Sequence, residues 1–247
     1  QLVSRGVIDK TEASYKNLTV RRSGLLRRTG KIAYGKFADS TRWQRKPTTY
    51  NSVSDALWQT VVDYRTAVWK DLNQYCEVWC EKDALAGVVY SVTERYDVPL
   101  MVSRGYSSLT FLHSAAEAIK EQYKQGKAVT LFHLGDYDPS GQDAARAIKD
   151  TLTEMAGVPF EFRQIAVTPE QIAELNLPTR PTKLTDSRSK GWDGGSVELD
   201  AIDPPVLQAL VRDNIEALLP AGTMAEIEMV EEAEKQSVAD FAYAWEG

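Results

Sequence analysis

Apolar residues recur at helical spacing in two stretches before residue 75. In the first, residues 11–28, they alternate with arginines and are followed by Gly30, a typical residue after a helix end. In the second, Ser52 has capping-box spacing to Asp55 and marks the start of a helix. Its apolar stripe runs from Val53 through Val68 to Leu72. We therefore predict a helix over 11–28, with Tyr15 as a core residue, and a connecting helix within 51–74. The stripe of the first helix consists of Tyr15, Leu18, Leu25 and Leu26.

From residue 75 onward, short apolar runs alternate with helical stretches. The pattern predicts strands at 76–80, 99–102, 129–134 and 160–167, and helices at 82–95, 107–125, 140–156 and 168–174. A loop rich in proline and glycine over 178–200 precedes a helix at 205–219 and an acidic amphipathic helix at 224–245. Strands that alternate with helices are typical of an α/β fold, in which a parallel sheet is covered by helices on both faces.

Charge is distributed unevenly along the 247 residues. Residues 1–50 contain 12 basic and three acidic residues, a net charge of +9, whereas the other 197 residues carry −15. This asymmetry indicates that the N-terminal part meets a polyanion, although a basic surface that binds nothing would have the same composition. No apolar run reaches the roughly 20 residues of a membrane span. The two cysteines favour a reducing compartment, and we expect a cytoplasmic, nucleoid-associated protein.

The basic residues of the N-terminal part lie on the predicted helix and beside it. Arg21 and Arg28 are seven residues apart, which would place them on one helix face. The alternating stretch 32–37, directly after the helix, predicts a two-stranded wing. A basic helix with a basic wing is typical of a winged-helix module that binds duplex DNA, and we assign it to residues 1–50. The candidate DNA contacts are Arg21, Arg22, Arg27, Arg28, Lys31 and Lys36.

Acidic residues come directly after two of the predicted strands. Glu81 comes after the first strand, and Asp136 and Asp138 come just after the third. Ligands of parallel sheets bind beyond the carboxyl ends of the strands, so the three carboxylates could form a cluster of oxygen ligands without a basic partner. Such a set suits Mg²⁺, with Mn²⁺ as a substitute. Alternatively, these acids only cap helices; we expect Ser140 and Asp143 to cap the helix after the third strand.

The combination of these motifs resembles the Toprim domain, and in detail the A subunit of topoisomerase VI and the related meiotic double-strand-break protein. Glu81-Lys-Asp-Ala-Leu85 is similar to a Glu-Lys-Glu-Ala segment of that family. Val102-Ser-Arg-Gly-Tyr106 is similar to Val-Thr-Gly-Lys-Gly-Tyr, with Arg104 at the lysine position. Gly135-Asp-Tyr-Asp-Pro-Ser-Gly141 stands where the family has Asp-Ala-Asp-Pro-Tyr-Gly. The size is closer to compact stand-alone relatives from phages, plasmids and bacterial genomes.

This resemblance implies a Toprim domain with a C-terminal helical extension over 75–247, and an activity. The family cuts duplex DNA by tyrosine transesterification, as a type IIB topoisomerase. Its metal ligands would correspond to Glu81, Asp136 and Asp138, with Arg104 as a further catalytic residue. A homodimer is implied, in which the metal site of one subunit serves the tyrosine of the other. An ATPase would have to be a separate subunit, because the chain contains no Walker-type phosphate loop.

The resemblance does not assign the nucleophile within these residues. No tyrosine of the chain lies in an Arg-x-x-Tyr-Tyr motif like that of the family. Gln1-Leu-Val-Ser-Arg-Gly6 is similar to the family residues that directly follow this motif, so we expect the nucleophilic tyrosine upstream of Gln1. Two other functions remain open. The chain could be a Toprim nuclease that hydrolyses DNA with metal-bound water, or a DNA-binding protein without catalytic activity.

Overall fold

The computed structural model describes residues 7–9, 11–33, 46–103, 105, 107–181, 192 and 195–245. The chain forms two compact units. The first consists of residues 1–62 and 238–247, and the second of residues 63–237. The second unit contains the sheet and both hydrophobic cores.

The second unit is built on four parallel strands. They are β1 (Gln74–Cys80), β2 (Leu100–Val102), β3 (Ala128–Leu134) and β4 (Glu161–Ala166), in the order β2-β1-β3-β4. All three pairings are parallel, and each strand lies at or within two residues of its predicted bounds. The α/β class and the parallel sheet predicted from the sequence are confirmed, and the arrangement fits a Rossmann-like layout.

Helices cover both faces of this sheet. On one face, α4 (Ala86–Thr93) and α8 (Pro204–Glu216) pack against the even-numbered residues of β1 from Cys76 to Cys80. On the other face, α5 (Leu109–Lys124) and α6 (Pro139–Ala156) pack against Trp79 and Leu131. The alternation of side chains along a strand explains how one strand supplies both cores. A short helix α7 (Pro169–Glu174) comes after β4 and begins with a capping box between Thr168 and Gln171.

The first unit contains short helical segments. Residues 12–28 are helical throughout, as α1 (Glu12–Lys16), a π-helical segment (Asn17–Arg22) and α2 (Ser23–Arg28). The expectation that Tyr15 is a core residue was wrong, because it is 65% exposed; Leu25 on the same segment is 61% exposed. A π-helical segment holds more residues per turn than an α-helix. The seven-residue spacing therefore no longer ensures that Arg21 and Arg28 share a face.

The second predicted helix is shorter than its apolar stripe. It forms α3 (Val53–Asp63), and the Oγ of Ser52 accepts a hydrogen bond from the backbone N–H of Asp55 at 3.0 Å. Val68 and Trp69 instead lie in a core of the second unit, where the indole N–H of Trp69 donates to the backbone oxygen of Tyr96. The stripe thus combined residues of a helix with residues of a buried segment further along the chain.

The chain ends in a long helix, α9 (Thr223–Trp245). Within the first unit, Tyr243 of this helix packs edge to face on Trp58 of α3, with ring centroids 4.9 Å apart. Among the described helices, none combines the length and the apolar character needed to cross a membrane. Most of the predicted wing, residues 34–37, lies outside the described residues, so the structure does not show a winged-helix module.

Candidate metal site at the carboxyl edge of the sheet

The register of the strands brings the candidate ligands to one edge of the sheet. Cys80 at the end of β1 pairs with Leu134 at the end of β3, so the residues just after each strand are neighbours. The backbone N–H of Glu81 donates to the oxygen of Leu134 at 2.9 Å. In turn, the Oε2 of Glu81 accepts a hydrogen bond from the backbone N–H of Asp136 at 3.1 Å.

Two glycines allow this close approach. A Cβ at Gly135 would lie 2.6 Å from the Cε1 of His133 and 3.0 Å from the Oε2 of Glu81. A Cβ at Gly141 would lie 2.5 Å from the backbone oxygen of Asp136. These distances are shorter than van der Waals contact, so any larger residue would push the acidic segment away from its neighbours.

Asp136 and Asp138 have different partners, although the sequence places them in one motif. The Oδ1 of Asp136 accepts a hydrogen bond from the backbone N–H of Leu199 at 2.7 Å. Asp138 is the N-cap of α6, and its Oδ1 accepts from the backbone N–H of Gly141 at 2.7 Å. The predicted caps were therefore wrong. The capping residue is Asp138 itself, because it is the residue with extended backbone geometry just before Pro139, the first residue of the helix.

The acidic edge also contains a cation that sequence reasoning did not assign to it. The Nζ of Lys82 lies 3.2 Å from the Oδ1 of Asp136, 3.4 Å from the Oδ1 of Asp200 and 3.6 Å from the Oε2 of Glu198. The expectation that the three carboxylates have no basic partner was therefore wrong. The signal for Lys82 was its place directly after Glu81 at the strand end, and the signal for the other two acids was an acid-x-acid pair, Glu198-Leu-Asp200.

Electrostatics at this edge reflect burial and crowding of charge. Burial raises the pKa of Glu81 above its usual value, and the negative charges of Asp136 and Asp138 raise it further. Burial likewise raises the pKa of Asp136, although the N–H of Leu199 and the ammonium of Lys82 oppose the shift. The carboxylates around Lys82 outweigh its burial and raise the pKa of its ammonium.

The donor set fits a hard divalent cation, but the side chains are not arranged as a closed cage. Glu81, Asp136 and Asp138 supply carboxylate oxygens only, the ligand type that Mg²⁺ and Mn²⁺ prefer. Burial is the main cause of the raised pKa of Glu81, and the negative charges of Asp136 and Asp138 add to it, a repulsion that a cation would relieve. Within the described ranges, no three acidic, histidine or cysteine side chains converge as metal ligands. Asp138 also caps α6 and Asp136 pairs with Lys82, so both carboxylates already have partners within the protein.

Two aromatic residues border the acids. Tyr137, between the two aspartates, forms an antiparallel bridge with Val197, and its ring lies 4.8 Å from that of Trp192. His133 is 1% exposed, and its ring stacks on that of Phe162 with the ring centroids 5.4 Å apart. Burial lowers the pKa of His133 to about 4, so its ring is neutral at physiological pH.

The other sequence-predicted residues belong to the first unit or are outside the described residues. Arg21, Arg22, Arg28 and Lys31 of the first unit are exposed, and Arg27 is half-buried with its Nε 3.4 Å from the backbone oxygen of Ser23. Arg104 and Lys36 are outside the described residues. No protein-family model matches the chain, and comparisons with curated proteins and with solved structures found no similar protein.

Proposed function

We propose that the chain is a magnesium-dependent subunit that cleaves duplex DNA by tyrosine transesterification, similar to the A subunit of topoisomerase VI. One observation carries the proposal. Two adjacent parallel strands end in the acids of the Glu and Asp-x-Asp-Pro-x-Gly motifs, and the carboxylate of Glu81 accepts a hydrogen bond from the backbone of Asp136. The type of reaction is inferred from the motif resemblance. The pairing of the strands places the acids near one another.

In this proposal, Glu81, Asp136 and Asp138 hold Mg²⁺ at the carboxyl edge. The ion would neutralise charge that develops on the phosphate oxygens during in-line attack. The hydrogen bond from Asp136 to Glu81 fixes the spacing of two ligands, and Gly135 and Gly141 allow the segments to approach. Arg104 is outside the described residues, and on the motif resemblance alone we assign it a contact to the phosphate.

Binding of the duplex is assigned to the first unit. Arg21, Arg22 and Arg28 are exposed, and the +9 charge of residues 1–50 would attract the phosphate backbone. The −15 of the remaining residues would repel it. The proposal further takes duplex DNA as the substrate, a homodimer as the active form, and a tyrosine outside residues 1–247 as the nucleophile, with a separate ATPase subunit for strand passage.

The test is cleavage of supercoiled plasmid by the natural full-length protein, with subsequent denaturation by detergent and without protease digestion, so that covalently attached protein is retained. We expect linear DNA with protein covalently attached to its ends, formed with Mg²⁺ or Mn²⁺ and suppressed by excess chelator. Asp136→Asn should lose cleavage, because it removes a charged ligand while an amide oxygen can still accept from the N–H of Leu199. Lys149→Met, at an exposed position of α6, is the control that should keep full activity.

The outcome separates the three candidate functions. Metal-dependent breaks whose ends carry no protein would indicate a Toprim nuclease. DNA binding without any cleavage, unaffected by chelator, would indicate a DNA-binding protein. Undiminished cleavage by Asp136→Asn would exclude the proposed metal site.

A further inference from the structure

We propose that Lys82 is an internal counter-ion of the acidic edge, and that a divalent ion must displace its ammonium from Asp136 in order to bind. The inference rests on the proposed function, because it takes Asp136 as a metal ligand. It assigns to Lys82 the role of a cation that competes with the metal ion for Asp136, a role that the motif itself does not indicate.

Both cations would pair with the same carboxylate. The Nζ of Lys82 lies 3.2 Å from the Oδ1 of Asp136, and that oxygen also accepts from the N–H of Leu199 at 2.7 Å. Mg²⁺ binds a carboxylate oxygen at roughly 2.0–2.1 Å and demands near-octahedral geometry. An ammonium left in place would lie close to the ion, and the two positive charges would repel each other strongly at this partly buried site.

Lys82 has partners to which it can move. Asp200 and Glu198 lie 3.4 and 3.6 Å from the same Nζ, and the side chain of Lys82 is 23% exposed. Because the lysine stem is a flexible four-carbon chain, the ammonium can leave Asp136 by side-chain rotation and remain paired. Glu198 is held in place by a salt bridge in which its Oε1 lies 2.6 Å from the Nη1 of Arg180. Displacement of Lys82 from Asp136 therefore breaks one ion pair but does not leave the ammonium unpaired.

The consequence is that Lys82 weakens metal binding while it stabilises the metal-free edge. Without Lys82, Asp136 would have no ammonium to lose, and Asp200 would lose its ion pair and add negative charge beside it. A divalent ion should then bind more tightly. Arginine in place of lysine would keep the positive charge and so keep the competition.

The experiment measures binding of Mn²⁺ alone by calorimetry, without DNA and without any assay of activity. We expect Lys82→Met, which keeps an apolar stem, to bind Mn²⁺ about tenfold more tightly than the parent, within the usual range for coupling between charged sites. Lys82→Arg should bind with an affinity close to that of the parent. Lys149→Met on the exposed face of α6 controls for the loss of one positive charge and should leave the affinity unchanged.

The results distinguish this inference from the proposed function. If the parent binds Mn²⁺ and Asp136→Asn does not, an equal or weaker affinity of Lys82→Met overturns the role of Lys82 alone. If the parent binds no Mn²⁺, or Asp136→Asn binds as the parent does, both the metal site and the inference fail. If Lys82→Met is too unstable for calorimetry, we measure instead how far Mn²⁺ raises the midpoint of thermal unfolding. A larger rise than in the parent supports displacement, and an equal or smaller one overturns it.

Discussion

Asp138 combines two roles at the scale of a single residue. Its carboxylate caps α6 through the N–H of Gly141, and in the proposed function it is also a metal ligand. Asn is as good an N-cap as Asp, whereas Ala costs about 1 kcal/mol of stability. Asp138→Asn should therefore keep the free energy of unfolding of the parent, and Asp138→Ala should lower it by about that amount.

Both Asp138 variants should lose DNA cleavage, because neither supplies a charged ligand. Chemical denaturation and plasmid cleavage of the same two preparations check the prediction. Cleavage that survives in Asp138→Asn would show that the residue acts as a cap only. The contrast between the variants separates loss of the ligand from loss of the cap.

Glu77 is a buried acid away from the candidate site. It is 1% exposed, accepts hydrogen bonds from the hydroxyl of Tyr75 and the indole N–H of Trp79, and burial raises its pKa above the usual 4.5. The folded state thus favours the protonated form. The stability from this shift is complete below the unfolded pKa and is lost as pH rises through the folded pKa.

Glu77→Gln should therefore be more stable than the parent at pH 8, and the difference should shrink towards pH 5. Gln can accept from Trp79 and donate to the hydroxyl oxygen of Tyr75, so the hydrogen bonds are retained. Thermal unfolding of both proteins between pH 5 and 8 tests this, with Glu154→Gln on the exposed side of α6 as a control for lost charge. A difference that stays constant with pH would contradict the prediction.

The sequence predicted where strands and helices lie better than it predicted which side chains pair with one another. It placed Glu81 and Asp136 at one edge, because parallel strands end together and apolar runs mark where they end. It missed the pairing of Asp136 with Lys82 and the approach of Glu198 and Asp200 to the same ammonium, since those two acids are more than 60 residues further along the chain. Contacts of that range depend on how the segment 195–202 returns to the sheet, which hydrophobic periodicity does not encode.

At the scale of elements, the sheet was easier to predict than the N-terminal helices. Each strand is a short apolar run with a clear end, and its two faces pack on helices, so tertiary packing agrees with local pattern. Residues 12–28 contain few apolar residues, and a π-helical segment changes the register in their middle. The extent of this helix was predicted well, whereas the core position expected for Tyr15 was wrong.

The basic helical segment, residues 12–28, carries its own prediction. Arg21 and Arg28 are exposed, and we expect each to contact a phosphate even if they do not share a face. Their joint replacement by Ala should weaken DNA binding similarly for unrelated sequences, and should flatten the salt dependence of the affinity by roughly two units, about 0.9 per phosphate contact.

Fluorescence anisotropy with two unrelated duplexes at several salt concentrations measures both effects. Replacement of Lys124 and Lys149 by Ala removes the same charge from exposed positions of the second unit and is the matched control. An affinity equal to that of the parent at low and high salt would show that the basic segment does not contact DNA. A loss that depends on the duplex would instead indicate contacts to bases.

At the scale of the whole molecule, the proposed function requires two copies of the chain. Each metal site would act on one strand with the tyrosine of its partner, so a dimer with one inactive site should cut one strand only. We expect dimers that contain one parent chain and one Asp136→Asn chain to nick plasmid DNA, whereas parent dimers linearise it. Light scattering of the full-length protein should give the mass of a dimer.

The attachment of the cut strand in such mixed dimers decides which subunit supplies the nucleophile. The only intact metal site belongs to the parent chain, so in a shared site the attacking tyrosine belongs to the Asp136→Asn chain. If that chain is made larger by a tag, labelled DNA should become covalently bound to the larger polypeptide on a denaturing gel. Label on the smaller parent chain would mean that each subunit uses its own tyrosine and metal site. A protein that is a stable monomer with full cleavage activity would exclude the shared arrangement altogether.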